Sequence, residues 1–257
     1  MLRSMYAGVS GMKGFQTKLD VIGNNIANVN TVGYKKSTIN FQDLLSQNLS
    51  SSGVNPMQVG LGSTTSAINV VHTPGSFMTT GVGTDLAVVG DGFFVVQNPT
   101  PNGGQYLTRA GNFVVEADGD LVTTQGYNVL NSNGQKITIP ATYESFTINR
   151  LGQVMGKQAN GTETNIGDIG IAQPANPAGL SKFGGSLYEL TTSSGPAPIG
   201  SATTRNTEIA SGMLEMSNVD LTEEFTEMII AQRGFQANSR IITTSDEVLQ
   251  EVVNLKR

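Results

Sequence analysis

The chain of 257 residues contains no cysteine, no tryptophan and a single histidine. Without cysteine it can hold no disulfide, no thiol nucleophile and no cysteine-ligated zinc. With only His72 there is no histidine pair for a metal. A Ser-His-Asp triad would have to use that one ring, and no Gly-x-Ser-x-Gly turn surrounds any serine. We expect His72 at the surface or in a satisfied polar role. Charged residues are scarce at 14%. No run of 18 apolar residues exists, which excludes a spanning helix and membrane insertion by one. Arg3 is not followed by a continuous apolar stretch, so no cleaved leader is expected. The pI near 4.9 and the lack of an arginine cluster argue against nucleic acid as a partner.

Two stretches imitate ligand sites and fail on inspection. Asp118-Gly119-Asp120 lacks the further oxygen ligands and terminal glutamate of a calcium loop. Gly152-Gln-Val-Met-Gly-Lys157 is one residue short of a phosphate loop, with Gln158 where Ser or Thr is required. We therefore expect no cofactor, no metal and no enzyme.

What the chain does have is glycine, 31 of 257 residues, together with abundant Ser, Thr and Asn, and seven-residue repeats at both ends. Near the C-terminus Leu221, Met228, Phe235, Ile242 and Leu249 are seven apart, the spacing of a coiled-coil seam. The alternate position reads Phe225, Gln232, Ser239, Asp246 and Val253, a stripe with polar gaps. Residues 220–253 would make a helix about 50 Å long, with Asn218 or Asp220 as N-cap and Glu223, Glu224 and Glu227 near the positive end of the dipole. At the other end Met5, Met12, Leu19 and Ile26 repeat every seven residues, with Phe15, Ile22 and Val29 between them. Gly8, Gly11, Gly14 and Gly23 each weaken such a helix by about 1 kcal/mol relative to Ala. They suit a helix held closely by partners. These fourteen apolar seam residues are the candidate self-assembly surface.

The ends are oppositely charged. Residues 1–36 carry Arg3, Lys13, Lys18, Lys35 and Lys36 against Asp20 alone. Residues 215–257 carry Arg233, Arg240, Lys256 and Arg257 against Glu215, Asp220, Glu223, Glu224, Glu227, Asp246, Glu247 and Glu251. Such ends attract each other or neighbouring copies; the alternative is two solvated helix faces.

Between the ends the pattern is β. Asparagines from Asn24 to Asn30 and Gly33 end the first helix near Asn28, and an extended run follows over 34–41. Ser50-Ser51-Ser52-Gly53 reads as a flexible loop, and 66–72 as a strand. Residues 86–89 and 93–97 read as a hairpin about Gly90-Asp91-Gly92. Strands follow at 106–109, 113–116, 121–124, 127–130 and 136–139, then a hairpin at 146–155 about Arg150-Leu151-Gly152, with 166–172 pairing nearby. Pro174, Pro177, Pro196 and Pro198 mark 173–210 as irregular connection. The fold class is α+β, with long terminal helices packing as a coiled-coil-like pair around a β-rich antiparallel middle. The expected divisions are a helical polymerisation domain (1–30 and 218–257), extended connections (31–84 and 200–217) and a β-rich outer domain (85–199).

Two long runs carry a family resemblance. Leu19-Asp-Val-Ile-Gly-Asn-Asn-Ile-Ala-Asn-Val-Asn-Thr-Val-Gly-Tyr-Lys35 resembles the N-terminal signature of the bacterial flagellar rod and hook family. Ser217-Asn-Val-Asp-Leu221, continuing to Ala231-Gln-Arg-Gly-Phe-Gln-Ala-Asn238, is similar to its C-terminal one. Asp91-Gly-Phe-Phe94, Thr108-Arg-Ala-Gly-Asn-Phe113 and Asn176-Pro-Ala-Gly-Leu180 extend the similarity through the middle. The resemblance implies a structural subunit that leaves through the flagellar type III export apparatus without a cleaved signal. It implies terminal helices in the inner tube of a homo-oligomeric helical assembly, joined to adjacent axial proteins. The hook that links basal body to filament is the first reading, from the short stretch 46–59 and Asn55-Pro-Met-Gln-Val-Gly-Leu61. The distal rod is the alternative. A secreted β domain that binds a surface, using its helices only to trimerise, is the reading from another class.

Overall fold

The structure, a computed structural model, describes residues 2–50, 57–100 and 103–255. It divides into two compact units. A helical unit comprises Met1–Asn28, Lys36–Val71 and Val219–Arg257, and a β unit comprises Val29–Lys35 and His72–Asn218. Residues 36–71 thus group with the helices, and 72–84 with the β strands.

In the helical unit, α1 (Leu2–Ala27) and α2 (Leu221–Leu255) run antiparallel: Gly8 lies against Ile242, and Asn25 meets Glu224. Asp220 starts α2, its Oδ1 accepting the backbone N–H of Thr222 at 2.8 Å. Those backbone donors hold its carboxyl below the usual range. The strand Ser37–Asp43 pairs antiparallel with Ser63–Val70, with a bulge at Asn40/Phe41. This ribbon covers a second face of α1. Phe41 packs on Phe15, and its ring would sit 2.9 Å from a Cβ placed on Gly14. Gln47–Ser50 pairs with Met57–Val59. Most of the flexible loop expected at 50–53 lies outside the described residues.

In the β unit, a nine-stranded sheet runs in the order Ser181–Gly184, Leu187–Glu189, Gln105–Thr108, Phe93–Gln97, Asn128–Val129, Leu121–Thr123, Phe113–Val115. Ile171–Ala172 and Ile199–Gly200 join off that path. A three-stranded meander (Tyr143–Ile148, Gln153–Gln158, Glu163–Asp168) and two short ribbons complete the unit. The core is one cluster in which Phe94, Leu86, Val88, Val129, Val154, Ile169 and Ile171 are fully buried.

Several sequence expectations change here. Leu86–Val89 does not form a hairpin with Phe93–Gln97; it pairs with Glu208–Ser211. Both segments are unbroken apolar runs, which mark burial without naming a partner. Gly92, at φ +153°, carries the chain past Ile171, whose Cγ2 would lie 2.6 Å from any Cβ there. Residues 136–139 form only isolated bridges, Leu130 with Lys136 and Asp120 with Thr138. The single strand expected at 166–172 is two elements that pair with different partners. The connection expected at 173–210 contains four strands of two to four residues, too short to imprint a period on the sequence. The hairpin about Arg150-Leu151-Gly152 forms as read.

Candidate assembly interface

The α1–α2 seam is built on small residues. A Cβ on Gly11 would meet the Asn238 amide at 3.0 Å, and one on Gly234 would meet the Phe15 ring at 2.5 Å. On α1 the residues facing α2 are Gly8, Gly11, Phe15, Lys18, Ile22 and Asn25. On α2 the buried line is Glu224, Ala231 and Ser245, with Asn238 against Gly8 and Gly11. This line lies one residue before the alternate stripe read from the sequence. Phe225 and Val253 of that stripe are 50% and 63% exposed. A hydrophobic count misses the true line because its members are small or polar. Their polar groups are satisfied locally, Ser245 Oγ donating to the Ile241 carbonyl and Asn238 Nδ2 to that of Gly234.

The other expected seam residues are distributed as follows. Ile22 is buried; Met5, Met12, Phe15, Leu19, Ile26, Met228, Ile242 and Leu249 are half-buried; Leu221 and Phe235 are exposed. Val29 lies beyond the end of α1, in the β unit. Along its length α2 also exposes Ile229, Ile230, Ile241, Val248 and Val252, apolar surface of the kind that marks an interaction site. Lys18–Glu227 and Lys36–Glu223 tie the ends of the unit by ion pairs.

The β unit has its own organising site, which the sequence did not announce. Lys35 and Glu215 are both fully buried and paired at 2.5 Å. Lys35 Nζ also donates to the Thr73 carbonyl at 2.8 Å, and Glu215 Oε1 accepts from Gly75 N–H at 3.1 Å. Arg109 Nη1 reaches Glu215 Oε2 at 3.2 Å, its Nη2 reaches the Gly90 carbonyl at 2.8 Å, and its guanidinium lies over Phe93. Burial pushes the Lys35 ammonium below the ordinary lysine range, and the bond it donates to Glu215 opposes that. Gly33, at φ +67°, packs where a Cβ would be 2.5 Å from the Ala110 amide, and its N–H donates to the Glu215 carbonyl. Lys35 and Arg109 lie within the runs that carry the family resemblance, and Glu215 lies two residues before one.

His72 is half-buried, and no well-formed hydrogen bond satisfies its ring. It stands edge-on between Phe93 and Tyr188, at 5.6 and 5.5 Å, and neither ring nitrogen makes a hydrogen bond among the described residues. Burial, with Lys35, Arg109 and Lys182 adding like charge, brings its pKa down to about 4. Among the described residues no helix is long and apolar enough to cross a membrane.

Neither site has the form of a reaction centre: one is a pair of helices with an apolar outer face, the other a sealed ion cluster. Three family descriptions match the chain. They are "Flagella basal body rod protein" over residues 5–35, "Flagellar hook protein FlgE/F/G D1 domain" over 87–156, and "Flagellar basal body rod FlgEFG protein C-terminal" over 210–255. The chain is 52% identical to the flagellar basal-body rod protein FlgG of Bacillus subtilis, over 270 aligned positions covering all of both chains. It is 39% identical to FlgG of Agrobacterium fabrum, covering 99% of this chain and 100% of the relative. It is 28% identical to the flagellar hook protein FlgE of Borreliella burgdorferi, over 444 positions covering all of both. The Lys35–Arg109–Glu215 cluster and the paired terminal helices are therefore features of a chain that belongs to the bacterial flagellar rod and hook family of axial structural proteins.

Proposed function

We propose that this chain is a subunit of the distal rod. It polymerises through its terminal helices into a homo-oligomeric helical tube that abuts other axial proteins. The observation that carries this reading is the end-to-end match at 52% identity to a rod protein of nearly equal length. The hook relatives need 444 and 466 aligned positions to span the same 257 residues, so they hold long segments this chain lacks. The hook, first in the sequence reading, is the second reading; its support is that those hook proteins align over the whole of this chain. In either role the exposed apolar positions of α1 and α2 pack against copies in a coiled-coil-like inner layer. Export proceeds through the type III apparatus without cleavage. Gold-labelled copies in isolated flagellar bases test the assignment. Label on the straight shaft is expected; label confined to the curved segment outside the envelope selects the hook. The mass of the assembled subunit should equal that of the full chain.

A further inference from the structure

Between α1, the strand Ser37–Asp43 and the first turns of α2 lies a cavity of about 260 Å³. Its charged lining is Lys18, Lys36, Glu223, Glu224 and Glu227. Four of these charges are already paired, Lys18 with Glu227 and Lys36 with Glu223. Glu224 is not. It is only 6% exposed, and a single side-chain donor among the described residues reaches it, Asn25 Nδ2 at 3.2 Å from Oε2. Among the described residues its Oε1 takes no side-chain donor, and that atom is not sealed from solvent. An ionised carboxylate offers about four acceptor sites, and side chains of this chain fill few of them here. An acceptor that opens on a cavity is a place for a donor that arrives from elsewhere.

We infer that this cavity receives the guanidinium of an arginine from a second copy of the chain, which completes the hydrogen bonding of Glu224. The inference rests on the axial-subunit reading. The planar fork of a guanidinium matches a carboxylate with two parallel bonds, and it is less strongly hydrated than an ammonium. Among the described residues of the helical unit, Arg3, Arg233 and Arg240 are exposed and make no ion pair. None can serve the Glu224 of its own chain. Arg233 is nine residues further along α2, about 13 Å on and half a turn round, and Arg240 is about 24 Å on. Arg3 is at the opposite end of α1 from Asn25, about 33 Å away. Cavity and arginine occupy different places on the subunit. In the helical tube of the proposed function such a contact is heterologous, the type that repeats into an open filament instead of closing a dimer.

The absence of cysteine makes the test clean. Full-length Glu224→Cys is mixed in turn with Arg3→Cys, Arg233→Cys and Arg240→Cys under assembly conditions and treated with a short bis-maleimide, because the span of an Arg–Glu pair exceeds the reach of a disulfide. One of the three mixtures should yield a cross-linked heterodimer above the level of Glu224→Cys alone. If assembled protein gives none, the inference falls while the axial reading stands. If the wild-type chain forms no filaments by electron microscopy, the axial reading fails and takes the inference with it. A link from Lys13→Cys in place of all three would assign an ammonium guest and overturn the guanidinium. As a second readout, Glu224→Gln should raise the concentration needed for assembly on the order of tenfold, since a buried interfacial charge pair loses its partner. Monomer helix content should be unchanged. An unchanged assembly concentration overturns the proposal.

Discussion

Lys35 Nζ lies 2.5 Å from Glu215 Oε1, the two residues 180 apart in the chain and both side chains sealed from solvent. One carboxylate therefore holds the first segment of the β unit to its last, with Arg109 joining from the middle. Removing it strands two buried cations. We expect Glu215→Gln to cost about 3–5 kcal/mol and to unfold the β unit at markedly lower urea. Replacing all three charges by apolar residues of similar volume should recover most of that loss, because no charge is left unpaired. Urea titrations followed by circular dichroism compare the two; equal loss in both variants would show that the charges are not what binds the segments.

His72 gives the β unit an acid limit. Its folded pKa of about 4 lies below the ordinary value of 6.5. Between those values the unfolded chain binds the proton and the folded one does not, so stability rises with pH. The contribution is complete above about pH 6.5 and is lost as pH falls toward 4. Protonation would add a cation beside Lys35, Arg109 and Lys182, with the Tyr188 ring packed against it. His72→Phe keeps a ring between Phe93 and Tyr188. The urea midpoint of that variant should fall less steeply than wild type between pH 6.5 and 4. Identical slopes would place the acid sensitivity elsewhere.

The glycines of the helical unit are not equivalent. Gly234 faces the Phe15 ring, whereas Gly23 has nothing within 4 Å of a would-be Cβ. Gly234→Ala should destabilise the helix pair by about 1–3 kcal/mol through overpacking, despite alanine's better helix propensity. Gly23→Ala meets no obstacle and should stabilise it by up to about 1 kcal/mol. Thermal unfolding of the helical signal decides; a gain in both would mean the seam has slack.

The seven-residue repeats located both helices because α1 and α2 do pack lengthwise, and the N-cap at Asp220 was visible as a residue type. The facing line was not legible. Glu224, Ala231, Asn238 and Ser245 earn their places by size and local hydrogen bonding, which hydrophobic periodicity does not register. The same limit hid the β-unit cluster: Lys35 and Glu215 read as parts of two oppositely charged ends, and Arg109 as one residue of a strand, until the chain brings them together. The hairpin about Gly152 was legible because its turn and both strands are contiguous. The pairing of Leu86–Val89 with Glu208–Ser211 is a long-range choice among equally apolar runs, and nothing local selects it.

The inner and outer faces of α2 should respond differently to charge. Ile242 lies against Gly8, where a Cβ would be 3.3 Å from its Cγ1. Ile230 is 53% exposed. Ile242→Asp buries a carboxylate without a partner, so the helix pair should loosen in the monomer and filaments should be lost as a consequence. Ile230→Asp places its charge in water. The monomer should keep its helix content and its unfolding midpoint, and only polymerisation should fail, because the desolvation cost arises when a second copy covers the site. Circular dichroism separates the two variants before assembly, and electron microscopy scores them after it. Filaments of normal length from Ile230→Asp would remove that part of the outer face from the contact between copies.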